Sequence, residues 1–121
     1  MRFLEFLKPY DINRGLEEYD MTPDAVLLDV RTPQEYSEGH IPCSENVPLQ
    51  EIERVENVIE RKDTPLFVYC RSGSRSRLAQ DALRRMGYTN VKNIGGIGAY
   101  RGHMERGNGK GMLEVCFAGG D

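Results

Sequence analysis

Two short, nearly continuous apolar runs narrow the folds open to this chain. Ala25-Val26-Leu27-Leu28-Asp29-Val30 follows Thr22-Pro23-Asp24, and Leu66-Phe67-Val68-Tyr69 follows Pro65. A strand with one wet face alternates apolar and polar residues, whereas an unbroken run belongs to a strand covered on both faces. Helical patterns accompany these runs. From Leu49 to Arg61, Leu49, Ile52, Val55, Val58 and Ile59 form one stripe and leave Glu51, Arg54 and Glu60 to water, which predicts an outer-layer helix. From Ser76 to Met86, Leu78, Ala79, Ala82, Leu83 and Met86 point inward, and Gly87 supplies a C-terminal stop. Apolar runs alternating with helices are the pattern of βαβ units, so the chain reads as an α/β fold with a mostly parallel sheet. Val91-Lys92-Asn93-Ile94 is a weaker strand, and a segment within Phe3 to Leu7 adds an edge. Asp11 is placed to cap a short helix from Ile12, although Gly15 weakens that helix by about 1 kcal/mol relative to Ala.

Length and charge exclude several classes. A chain of 121 residues buries one core, so residues 1–121 are read as a single domain whose segment 107–121 is a glycine-rich tail. No stretch approaches the roughly 20 apolar residues of a membrane span. Glu5 and Lys8 interrupt the apolar start, which lacks the features of a signal peptide, and the expected location is the cytoplasm. Sixteen Lys and Arg against nineteen Asp and Glu give a net charge of -3, which argues against nucleic acid as a partner. The three cysteines, Cys43, Cys70 and Cys116, are too scattered for a disulfide framework, and at least one is expected to be a free thiol. With His40 and His103 they form no C-x-x-C pair, so neither a metal site nor a cofactor is expected.

Reactive chemistry concentrates in Cys70-Arg71-Ser72-Gly73-Ser74-Arg75-Ser76, which runs from the end of a buried strand into a helix. A tight turn at Gly73 can aim successive backbone N–H groups inward, and the helix presents the positive end of its dipole to the same point. Both favour an anion. Together with Arg71 and Arg75 they favour thiolate over thiol at Cys70. Considered alone, a cysteine at a strand end is a packed core residue. Two arginines, several serines and a glycine leave little apolar material to bury it, which argues for a reactive thiol.

At this loop the sequence resembles the rhodanese family, and the resemblance runs from about residue 25 to residue 100. The segment from Asp29-Val30-Arg31 through Glu35-Tyr36, Gly39-His40-Ile41-Pro42 and Asn46-Val47-Pro48 is similar to the family's upstream signature. The loop from Cys70 to Ser76 is similar to its active site, and Gly87-Tyr88, Val91 and Gly95-Gly96-Ile97 with Tyr100 to its closing segment. The resemblance implies a rhodanese-like fold, a largely parallel five-stranded sheet flanked by helices on both faces. It implies a sulfurtransferase in which Cys70 takes sulfane sulfur from a small anionic donor, thiosulfate or a persulfide. A thiol, cyanide or a sulfur-carrier protein then accepts the sulfur. Arg71, Ser72, Gly73, Ser74, Arg75 and Ser76 would bind the donor, with Arg71 and Arg75 also steadying the thiolate.

Asp29 and Arg31 lie at a strand end and read as a structural ion pair or turn that braces the loop from behind. His40 reads as a structural hydrogen-bonding residue, since a low-pKa thiolate needs no general base. Cys43 and Ser44 stand where a Gly-Ala pair is common in the family, and Tyr100 replaces a frequent tryptophan. Cys43 reads as a small residue packed in place of glycine, with a resolving thiol for Cys70 as the alternative. Competing readings are a docking or persulfide-sensing module and a phosphatase of the same fold. Tyrosine phosphatases separate cysteine and arginine by five residues, one more than stand between Cys70 and Arg75.

Overall fold

The computed structural model describes residues 11–108. Asp11 opens the first helix, α1 (Ile12–Asp20), its carboxylate accepting the N–H of Asn13 at 3.1 Å. Strand β1 (Val26–Asp29) leads to α2 (Pro33–Glu38), which begins with a reciprocal cap: Thr32 Oγ1 accepts from Glu35 N, and Glu35 accepts from Thr32 N. Strand β2 (Ser44–Asn46) is followed by a 3-10 helix (Leu49–Arg54) that continues into the single turn of α3 (Val55–Val58). Then come β3 (Leu66–Cys70), α4 (Ser74–Arg85), β4 (Val91–Gly96) and a 3-10 turn, Ile97–Ala99.

All strand pairs are parallel and the order is β2-β1-β3-β4. Among the described residues the sheet therefore has four strands where five were expected. The further edge expected within Phe3 to Leu7 lies outside those residues. Side-chain alternation divides the core between the two faces. On one, Leu28, Val68 and Cys70 pack with Val55, Ala79 and Leu83; on the other, Leu27, Phe67 and Tyr69 pack with Ile12, Tyr19 and Ile94. This two-sided cover explains why the strands read as continuous apolar runs. No helix of the described residues is long and apolar enough to cross a membrane.

Two helix expectations need correction. The stretch from Leu49 to Arg61 is not one α-helix, because Glu51 leaves helical geometry at φ -118° and ψ 27°. Its Leu49, Ile52 and Val55 recur at a spacing of three, which a 3-10 helix also satisfies. The following α-turn rotates Val58 out to 72% exposure, and Ile59 is buried from an extended backbone. The second helix starts at Ser74, two residues earlier than its apolar pattern, and Leu78 is 57% exposed instead of inward. Its buried face is Ser76, Ala79 and Leu83.

Gly15 has a packing reason. A Cβ there would lie 2.5 Å from Ile94 Cβ, so the missing side chain lets α1 approach β4. Beside the loop, a bulge in β4 shifts the register: Val68 pairs with Asn93 but Tyr69 with Gly95 and Cys70 with Gly96. It sets two glycines against the end of β3.

Candidate active site

The loop leaves the sheet at the carboxyl end of β3, the edge where open parallel sheets place their sites. Cys70 carries a free thiol and is fully buried. Gly73 adopts a left-handed φ of 105°, which glycine tolerates, and this turn swings the chain into α4. It also aims the Gly73 N–H at Cys70 Sγ, 3.0 Å away. Ser76, buried on the inner face of α4, places its hydroxyl 3.5 Å from the same sulfur. Burial pushes the Cys70 thiol up, but hydrogen bonds from the Ser76 hydroxyl and from the amides of Ser76, Gly73 and Ser72 outweigh it, so its pKa lies below the ordinary thiol value.

Gly96 backs the loop without a side chain. A Cβ there would stand 2.3 Å from Arg71 O and 2.7 Å from Ser72 Cα, both backbone atoms. Gly98 N–H donates to Arg71 O at 3.3 Å. Asn93, buried on β4, accepts from Ser76 Oγ at 2.7 Å and donates to Gly73 O at 3.2 Å, while its own N–H is held by Gln80 Oε1 at 2.7 Å. The cradle is thus tied to both neighbouring elements.

The two loop arginines differ. Arg71 is exposed, and its guanidinium makes no hydrogen bond or ion pair among the described residues. Arg75 is held by Glu35 in a two-pronged pair, 2.8 Å and 3.0 Å. That pair and the hydrogen bond from Thr32 N, acting against partial burial, lower the Glu35 carboxyl to about 2. Arg75 is therefore occupied where it was expected to bind a donor, and it fastens α4 to the first turn of α2. Ser72 and Ser74 are exposed at the rim, their hydroxyl oxygens 3.3 Å apart.

Asp29 and Arg31 form the buried structural pair expected of them. Arg31 Nη2 lies 2.7 Å from Asp29 Oδ2 and 2.7 Å from Gly39 O, and Asn46 Nδ2 reaches the carbonyls of both Asp29 and Arg31. Their brace fixes β1 to α2 and β2 and does not touch Cys70. His40 is also structural: buried, stacked on Tyr36 at 3.7 Å and hydrogen-bonded through Nδ1 to Tyr36 O at 2.8 Å.

Cys43 is half-buried and stands at φ 74°. Left-handed backbone there accounts for glycine being the common residue at this position and costs a cysteine about 1 kcal/mol. Ser44 is level with Leu27 and Phe67 across the sheet. At about 3.3 Å per residue and 4.8 Å per strand, Cys43 then lies roughly 15 Å from Cys70, far beyond disulfide reach. The resolving-thiol alternative has no support in this arrangement.

Glu35, Asn93, Gln80 and Gly96 were missed as site residues. Glu35 carried a signal, since Thr32-Pro33-Gln34-Glu35 is a capping box, but its second partner lies 40 residues away in the chain. Gly96 stood within a Gly-Gly pair whose close approach to another backbone was a legible possibility. Asn93 and Gln80 carried none.

The sequence pattern of the rhodanese-like domain matches residues 10–103. The chain belongs to the rhodanese-like domain family. The thiosulfate sulfurtransferase PspE of Escherichia coli (strain K12) is 39% identical over 71 residues, 58% of this chain and 68% of that protein. A sulfurtransferase of Allochromatium vinosum is 41% identical over 83 residues, 68% of this chain and 77% of that one. A solved structure described as a rhodanese with anions from E. coli matches with a TM-score of 0.65 and 34% identity, over 69% of this chain and 99% of that one. Of two further curated relatives the chain spans 56% and 58% of the length. The α/β architecture is thus the rhodanese fold, and sulfurtransferases are among the chain's relatives.

Proposed function

We propose that this rhodanese-like chain, acting as one domain, transfers sulfane sulfur through a persulfide on Cys70. The observation that carries this is the placement of Cys70 Sγ at the floor of the loop, 3.0 Å from the Gly73 N–H and beside the start of α4. Fixed N–H donors and a helix N-terminus stabilise negative charge at sulfur without reorganising. The Cys70 thiolate attacks the outer sulfur of an anionic donor such as thiosulfate. As the new S–S bond forms, the donor's own S–S bond breaks and sulfite leaves with the electron pair. A thiol, cyanide or a sulfur-carrier protein then attacks the outer sulfur, and the thiolate returns to Cys70. Arg71, whose guanidinium has no hydrogen-bond or ion-pair partner among the described residues, meets the donor's charge, while Arg75 acts through its pair with Glu35. Ser72 and Ser74 line the entrance, and Gly73 and Ser76 line the floor.

Intact-mass spectrometry of the reduced protein after thiosulfate treatment tests this. A dithiothreitol-reversible gain of about one sulfur atom in the parent and none in Cys70→Ala, with matching sulfite release, is the expected result. Failure to load from thiosulfate and from persulfide donors alike would overturn it and favour a docking role.

A further inference from the structure

Asn93 is 2% exposed behind the loop, and its side-chain amide has a single orientation. Nδ2 faces the Gly73 carbonyl at 3.2 Å and Oδ1 faces the Gly95 N–H at 3.0 Å. A carbonyl cannot donate and a backbone N–H cannot accept, so the two ends of the amide cannot be exchanged. The oxygen end also meets Ser76 Oγ at 2.7 Å. An amide oxygen has no proton, so this short bond uses the one proton of the Ser76 hydroxyl. The same hydroxyl lies 3.5 Å from Cys70 Sγ. One proton cannot fully serve both acceptors.

We propose that Asn93 is a positioning residue for Cys70, drawing the hydroxyl proton of Ser76 away from the sulfur. In the resting thiol, Cys70 S–H points to Ser76 Oγ and Ser76 O–H points to Asn93 Oδ1. When the sulfur is charged, the hydroxyl must loosen its bond to Asn93 to reach it. Asn93 thereby makes the thiolate less favourable than an uncontested hydroxyl and the loop amides would.

The consequence for turnover rests on reading Cys70 as the sulfur carrier. A more acidic thiol is a better leaving group and, per thiolate, a weaker nucleophile. During delivery the acceptor thiolate bonds to the outer sulfur, the bond from that sulfur to Sγ breaks, and its electron pair returns to Cys70 without net oxidation. Asn93 thereby balances sulfur uptake against delivery. The charged groups around the site are Arg71 and Arg75 from the loop and α4, Glu35 from α2 behind Arg75, and the Asp29–Arg31 pair at the end of β1. From β4, the adjoining residues Asn93 to Gly96 carry no charge. None of these charges changes in the variants below.

The test follows iodoacetamide alkylation of Cys70 against pH by mass spectrometry in the parent, Asn93→Leu, Ser76→Ala and the double variant. Asn93→Leu is expected to move the thiolate midpoint down, giving about fivefold more thiolate at a fixed pH below it. Ser76→Ala is expected to raise the midpoint but to cost less than about threefold in thiolate, because the hydroxyl reaches the charged sulfur only by giving up its bond to Asn93. In the double variant the gain from Asn93→Leu should vanish. A midpoint that stays or rises in Asn93→Leu, or a gain that survives without Ser76, would overturn the proposal. Should Asn93→Leu fail to fold, Ser76→Ala decides: a loss of thiolate greater than about threefold overturns it, and a smaller change supports it. Alkylation needs no sulfur donor, so a failure of sulfur loading leaves this outcome readable.

Discussion

Cys70 illustrates how much a few residues convey when their order is preserved. Strand, cysteine, glycine and helix follow one another so closely that the turn at Gly73 and its N–H on sulfur were legible from local geometry. The acidity that results has a checkable sign. Because hydrogen bonds lower the Cys70 pKa, alkylation should rise with pH and level off below the range of an ordinary thiol. Urea-unfolded protein, measured alongside, should show the ordinary midpoint. Gly96 represents the opposite case, since its role depends on a backbone in another part of the chain. A methyl group there meets Arg71 O and Ser72 Cα, neither of which can swing aside. Gly96→Ala should therefore retain the fold but misplace the loop, lowering sulfur loading by about 100-fold for a displacement of about 1 Å.

At the scale of elements, α4 owes its place to three kinds of contact. Ala79 and Leu83 pack on the sheet, Gln80 holds the Asn93 N–H, and Arg75 clasps Glu35 on α2. The last of these is sensitive to acid. Glu35 has a folded pKa of about 2 against an ordinary 4.5, a depression, so its stabilisation is fully present above 4.5 and lost as pH falls toward 2. Both side chains are partly exposed, and screening reduces the contribution to about 1 kcal/mol. Glu35→Gln should thus lower stability at neutral pH by about that amount, and the difference from the parent should shrink in urea titrations between pH 4.5 and 2. A difference independent of pH would show that the pair contributes through packing alone. Helix α1 depends on its cap: Asp11→Ala should cost about 1 kcal/mol at neutral pH, read from the same urea titrations. The expected helix from Leu49 to Arg61 failed because a spacing of three suits both α and 3-10 geometry over two turns.

For the molecule as a whole, stability rests on a sheet covered on both sides. Leu83, fully buried against Val55, Leu66 and Val68 in one cluster, joins α4 to this core. Leu83→Ala should cost about 3 kcal/mol in urea unfolding and, by loosening α4, should reduce sulfur loading as well. The sheet's parallel order follows from its connections: α2 carries the chain from β1 to β2, the helical segment from Leu49 to Val58 carries it from β2 across to β3, and α4 carries it from β3 to β4. Continuous apolar runs, the cap at Asp11, the thiol in its turn and the buried Asp29–Arg31 pair were all readable from the chain. Each rests on neighbours within a few residues, where covalent geometry and hydrophobic spacing decide the outcome. Arg75 bound to Glu35, Asn93 behind Ser76, Gly96 under the loop and Gly15 against Ile94 were not. Their partners lie far along the chain and meet through the strand order and the bulge in β4, contacts that depend on burial and close packing across elements.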